Sequence, residues 1–183
     1  MGDFPILRRA SAPILAWMKQ EALPFWGTVG VDDTRGGFHE RLDLQGHPIF
    51  DVPKRLMVQG RQLYVFCHAG LLGWHSDARR LADRCVEYMV KSFYRRDGNP
   101  GWVYSLAPDG HIASAMRDTY GHAFVLLGLA WYFRLTGDAQ VLRIVDETLT
   151  FMDESLSCDR GGYFDAIPAP DAIRRQNPHM HLF

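Results

Sequence analysis

Apolar residues in this chain cluster in helical segments of two kinds. The segment from about Lys54 to Trp74 and that from about Asp118 to Thr136 are apolar on more than one face, the pattern of a helix enclosed on most sides. From about Ser76 to Arg95 a single stripe holds Ala78, Leu81, Ala82, Cys85, Met89 and Phe93, with Arg80, Asp83, Arg84, Glu87 and Lys91 mostly off it. A further helix, capped by Asp138, places Leu142, Val145, Leu149, Met152 and Leu156 inward. Ser11, as cap before Ala12-Pro13, starts a first helix that runs through Trp17 to about Phe25 or Trp26. Asn177, as cap before Pro178, starts a sixth. Enclosed and amphipathic helices thus alternate, as they do when one helix of each pair lines an inner ring and the other covers it. The predicted fold class is all-α, an α/α toroid or barrel or part of one.

Between the helices a marker recurs. Gly36-Gly37-Phe38 with the turn at Gly46, Gly101-Trp102-Val103-Tyr104 with the turn at Gly110, and Gly161-Gly162-Tyr163 each join a glycine to an aromatic residue and a short alternating stretch, which predicts small β-hairpins. From Phe38 to Trp102 is 64 residues and from Trp102 to Tyr163 is 61. A period near 60 with two helices per period means stacked helical hairpins. No linker divides the chain, so residues 1–183 read as one domain portion. The stop at Phe183, inside the second turn of the sixth helix, reads as the end of an N-terminal portion.

Composition narrows the partners. The chain has 47% hydrophobic and 22% charged residues and a formal net charge of -1, without the basic patch of a nucleic-acid or anionic-membrane binder. A small neutral ligand fits better. Cys67, Cys85 and Cys158 lack metal-site spacing and read as buried thiols of a reducing compartment. Met1-Gly2-Asp3-Phe4-Pro5 carries no leader pattern, and the apolar run from Tyr120 to Phe133 is short of the roughly 20 residues that span a bilayer. The expected compartment is the cytoplasm.

Polar residues on enclosed helices are the candidates for chemistry, because each needs a hydrogen-bond partner or a solvent cavity. Arg61 follows Phe38 by 23 residues, His122 follows Trp102 by 20 and His181 follows Tyr163 by 18, so the three are read as equivalent positions opening on one mouth. Arg61 is either a structural partner of an acid such as Glu40 or a planar fork for sugar oxygens. His122 is either a core histidine or a rim contact. Trp102 and Tyr104 share a strand face and serve either hairpin packing or a sugar-ring platform. Of His179-Met180-His181, two histidines two apart on a helix point roughly 200° apart and do not chelate one metal. Asn177 and His181, four apart, share a face. His39 and His47 read as solvated. A pair of carboxylates for glycoside hydrolysis would have to be Glu40 and Asp118. A carbohydrate-binding or interaction module without turnover is a further alternative.

The motifs Gly-Gly-Phe-His-Glu-Arg-Leu-Asp (36–43), Lys54 to Phe66, Tyr120-Gly121-His122-Ala123-Phe124 and Gln176 to Phe183 together resemble the N-acylglucosamine 2-epimerase family, and most closely its mannose isomerase-like branch. The resemblance runs from about residue 12 to the last residue, with Gly60 standing where relatives commonly carry Ala. It implies an (α/α)6 barrel, here about half the ring, acting at carbon 1 and carbon 2 of an aldose through an enediol, without metal or other cofactor. Arg61 matches the family arginine that holds substrate oxygens, and Asn177 and His181 match residues that contact the sugar and assist ring opening. The family's acid and base histidines belong to later inner helices. An open half-ring is expected to be inactive alone and to pair with another polypeptide, as a homo-oligomer or with a complementing C-terminal half.

Overall fold

A computed structural model of the chain describes residues 5–169 and 172–182. The Met1-Gly2-Asp3-Phe4 segment and Phe183, weighed above, lie outside the described residues. The first helix, α1 (Pro5–Trp17), passes through a π-helical stretch at Met18–Ala22 into α2 (Leu23–Thr28). Ser11 is therefore not a cap: it lies within α1, and Pro13 is an internal residue of that helix. The remaining helices are α3 (Leu56–Leu71), α4 (Ala78–Ser92), α5 (Thr119–Thr136), α6 (Gln140–Phe151) and the short α7 (Gln176–Met180).

The inner pair is α3 and α5, which approach closely at two glycines. A Cβ on Gly60 would lie 2.7 Å from the carbonyl oxygen of Phe124, and one on Gly128 would lie 3.0 Å from that of Gly60. Against this pair α4 buries the whole expected stripe, Ala78, Leu81, Ala82, Cys85, Met89 and Phe93. The expected face of the fifth helical segment holds at Met152 and Leu156, which are buried, and at Val145, which packs against the core, but within α6 it is displaced at two positions. Val141, Thr148 and Phe151 are buried, together with Met152 and Leu156 beyond the helix, whereas Leu142 and Leu149 are exposed. Thr148 decides the register, because its hydroxyl accepts the indole N–H of Trp102 at 2.9 Å and donates to Ile144 O at 2.7 Å. A polar residue with both partners supplied inside the core carries no burial penalty, and hydrophobicity alone does not reveal it.

Small antiparallel pieces join the repeats. Val31 bridges Phe38, Tyr94 bridges Trp102 and Ser157 bridges Tyr163 at equivalent places in the three repeats, and Leu42 also bridges Pro48 in the first. The first repeat closes its hairpin around Gly46, with Asp43 N–H donating to His47 O at 2.9 Å and Ile49 N–H to Arg41 O at 3.2 Å, and the second pairs β2 (Ser105–Leu106) with β3 (Ile112–Ser114), while β1 (Lys54–Arg55) joins it from the repeat before. The third repeat makes no hairpin of its own among the described residues. Its β5 (Ala166–Ile167) pairs instead with β4 (Arg117–Asp118), which leads into α5. Each inner helix is thus tied to the following repeat. Leu56 N–H donates to Tyr104 O and Thr119 N–H to Asp165 O, both at 2.9 Å.

A cation preceding each inner helix locks the glycine turn of its own repeat. Lys54 Nζ donates to Gly36 O at 2.8 Å, Arg117 Nε to Pro100 O at 3.1 Å and Arg174 Nη1 to Gly161 O at 2.7 Å. The accepting residue stands two before the aromatic residue in all three repeats. Lys54 is also paired with Asp32 at 2.8 Å, and Arg117 holds both oxygens of Asp97 at 2.6 and 2.7 Å. His39, expected in solvent, is buried beside this first lock, with its Nδ1 3.7 Å from Asp32.

Candidate functional site

The N-caps of the three inner helices, Arg55, Asp118 and Arg175, set a common register. Four residues after each cap stands a side chain that grips the aromatic turn. Gln59 Oε1 accepts Phe38 N–H at 2.8 Å, His122 Nε2 accepts Trp102 N–H at 3.2 Å, and His179 Nε2 accepts Tyr163 N–H at 2.9 Å. Both histidines donate from Nδ1 to the cap carbonyl four residues back, Asp118 O and Arg175 O, at 2.7 Å. Six residues after the caps stand Arg61, Phe124 and His181. The equivalence of Arg61, His122 and His181 expected from the sequence is therefore corrected: His122 belongs with Gln59 and His179, and Phe124 takes its place.

These three side chains meet. The Arg61 guanidinium lies 4.3 Å from the centre of the Phe124 ring and 5.4 Å from that of Tyr120. It donates a hydrogen bond from Nη2 to the Tyr120 hydroxyl. The His181 ring packs 4.7 Å from Phe124 and 5.2 Å from Tyr120. Arg61 thus leans on an aromatic face, and its remaining donors make no hydrogen bond among the described residues. Its structural alternative, pairing with Glu40, does not occur: Glu40 accepts from Arg55, through its backbone N–H at 2.8 Å and its Nε at 2.6 Å. Asn177 is exposed one turn before His181. Arg175 rather than Asn177 is the N-cap, and the Asn177 amide makes no hydrogen bond among the described residues.

Other expected site residues are placed elsewhere. Trp102 and His122 are both 0% exposed, so neither offers a surface to a ligand. Burial pushes the His122 imidazole down to about 4, and it stays neutral as its two hydrogen bonds require. Tyr104 is half-buried and lines a hollow of about 360 Å³ beside Glu40, Arg41 and Arg55, without ring contact or hydrogen bond to Arg61 or His181. His179 has both ring nitrogens engaged and so cannot join His181 on a metal ion. Asp118 caps α5 by accepting Gly121 N–H at 2.9 Å, while its Oδ1 is buried without a hydrogen bond. Its burial, which outweighs that bond, raises the carboxyl to about 6, with nearby Asp165 adding to the rise. Tyr120 and Phe124 were missed as site residues because they resemble core. Counting from the caps rather than from the aromatic residues would have found Phe124.

Among the described residues no helix is long and apolar enough to cross a membrane. The sequence model of a family described as N-acylglucosamine 2-epimerase (GlcNAc 2-epimerase) matches residues 36–183. A mannose-6-phosphate isomerase of Rhizobium meliloti is 33% identical over 174 residues, covering 93% of this chain and 43% of its own length. The cellobiose 2-epimerase of Spirochaeta thermophila superposes with a TM-score of 0.85 at 26% identity, over 97% of this chain and 47% of that one. A D-mannose isomerase superposes with a TM-score of 0.80 over 100% of this chain and 47% of its own, at 20% identity, which speaks for the fold alone. The architecture is therefore that of the (α/α)6 barrels, and the chain spans less than half the length of the relatives it matches. The chain belongs to the N-acylglucosamine 2-epimerase family.

Proposed function

We infer that the chain supplies one substrate-binding wall of a sugar 2-epimerase or aldose–ketose isomerase, acting at carbon 1 and carbon 2 of an aldose through an enediol. The observation that carries this is the convergence of Arg61, Tyr120, Phe124 and His181 from successive inner helices. Removing a proton beside a carbonyl requires that the negative charge forming on oxygen be held as it develops. A guanidinium suits that task, since it is always charged and its planar donors are fixed in direction. Tyr120 takes one donor of Arg61 and so orients the rest. An imidazole at His181 can pass a proton between the ring oxygen and the carbon-1 hydroxyl as the sugar opens. Asn177, on the same face, adds an amide for a neighbouring hydroxyl.

The acid and base that exchange the carbon-2 proton are assigned to the part of the ring that the relatives carry beyond the matched length. On this reading the 183-residue chain alone does not turn over mannose, glucose, N-acetylmannosamine or fructose. Hydrolysis by paired carboxylates is not favoured, because Glu40 is held by Arg55 and Asp118 is a helix cap. The test is Arg61→Lys in a ring completed by a second polypeptide. It keeps the charge and loses the fork, so kcat/KM should fall about 100-fold while stability changes by less than ~0.5 kcal/mol. If the variant unfolds and turnover per folded molecule is unchanged, Arg61 is structural. Robust turnover by the 183-residue chain alone would remove the assignment of the acid and base.

A further inference from the structure

His179 has no place in the chemistry above, yet both its ring nitrogens are hydrogen-bonded two residues before His181. It belongs to a helix of five residues, too short to be stable through its own hydrogen bonds. What fixes that helix is packing against α5 and the ring of His179. The ring spans from Arg175 O, 2.7 Å from Nδ1, to Tyr163 N, 2.9 Å from Nε2, and lies nearly parallel to the Tyr163 ring. Room for the contact comes from Gly162, whose φ is 72° and whose missing Cβ would sit 2.6 Å from Nε2. Because Nε2 accepts an amide N–H, the ring is neutral and its proton is on Nδ1.

Residues two apart on a helix point to nearly opposite sides. A side chain that grips the aromatic turn behind an inner helix therefore aims the residue two positions later away from that turn. Gln59 does this for Arg61 and His122 for Phe124. The first two grips are fully buried inside helices of 16 and 18 residues, which other packing also holds. The third is half-buried and acts on a single turn, where it works beside the Arg174 bond to Gly161 O and the packing of Pro178 and Leu182, and it is the side chain of α7 that bonds the amide of the aromatic turn.

We propose that His179 is the positioning residue for His181, its neutral ring clamping α7 to the Gly162-Tyr163 turn so that His181 stands against Phe124 and Tyr120. The proposal rests on His181 belonging to the sugar site, and it is tested by a measurement that needs no sugar. In the 183-residue chain labelled with ¹⁵N and ¹³C at histidine, the ring nitrogens of His179 should report a proton on Nδ1 and an unprotonated Nε2. The ring protons of His181 should be displaced by the neighbouring aromatic rings. His179→Ala should return His181 to the position of an unrestrained histidine while the Trp102 amide, gripped by His122, stays in place. His179→Gln, which carries the side chain that serves in the first repeat, should keep His181 displaced.

An unchanged His181 in His179→Ala overturns the proposal, as does a free His181 in a folded His179→Gln. If His179→Ala fails to fold, the native ring decides: a proton on Nε2 overturns the clamp whatever the variants do. Titration with mannose is a separate arm. If His181 does not respond to sugar in any form, the assignment of the site falls while the positioning result stands.

Discussion

His122 and Asp118 share one turn of α5, and burial shifts them in opposite ways. The His122 imidazole, near 6.5 in an unfolded chain, is held at about 4 in the fold. Its contribution to stability is full above 6.5 and is lost as the pH falls to 4. The Asp118 carboxyl moves from 3.8 to about 6, so its contribution is full below 3.8 and is lost as the pH rises to 6. At ~1.4 kcal/mol per tenfold change in proton affinity, each swing is about 3 kcal/mol, and over the range from 4 to 6 they cancel. Removing one partner should expose the other. His122→Gln is expected to gain stability relative to the native chain between pH 7 and 4.5, and Asp118→Asn to lose it. Urea denaturation at the two pH values measures both, and parallel behaviour of the variants would refute the opposition. At this scale the sequence was partly legible. Arg61 and His181 were picked out because charge or imidazole on an apolar helix demands a reason. His122 drew attention for the same reason and Trp102 for its place on a strand face, but both serve the core, since sequence does not show that their polar atoms find partners inside it.

Among elements, the crossing of α3 and α5 depends most on one small residue. Gly60 is the position where the family resemblance departs from Ala, and the approach of the Phe124 carbonyl gives it a physical meaning. Gly60→Ala should gain ~1 kcal/mol in helix propensity but meets backbone that cannot move aside without spreading the helices, at a cost of about 2–3 kcal/mol. The expected result is a net loss of about 1–2 kcal/mol in urea denaturation. A variant as stable as the native chain would show that the two helices can separate freely. Helix existence and the inner-outer alternation were legible from periodicity. The start of the first helix was not, because Ser11-Ala12-Pro13 has the composition of a helix start yet lies within α1. Nor was the face of α6, where exposed Leu142 and Leu149 outweigh buried Thr148 in any hydrophobic count. The repeat itself was legible, but its register drifted because it was counted across loops. The grips follow their aromatic residues by 21, 20 and 16 residues, whereas each follows its helix cap by four.

For the molecule as a whole, three repeats joined in series make a curved wall whose polar contacts run both backward and forward along the chain. The cation locks and the glutamine and histidine grips close within a repeat. The bonds from Leu56 N–H to Tyr104 O and from Thr119 N–H to Asp165 O reach forward into the next. During synthesis from the N-terminus, therefore, the first amide of α3 has no acceptor until about 50 further residues have left the ribosome, and α5 waits for a similar length. Docking of each inner helix should be stepwise, timed by translation of the repeat after it. Ribosome-bound chains stalled at increasing lengths and probed by brief proteolysis should show α3 becoming protected when Tyr104 emerges, and α5 when Asp165 does. Protection of α3 in a chain exposed only to residue 95 would show that the forward bond does not govern assembly.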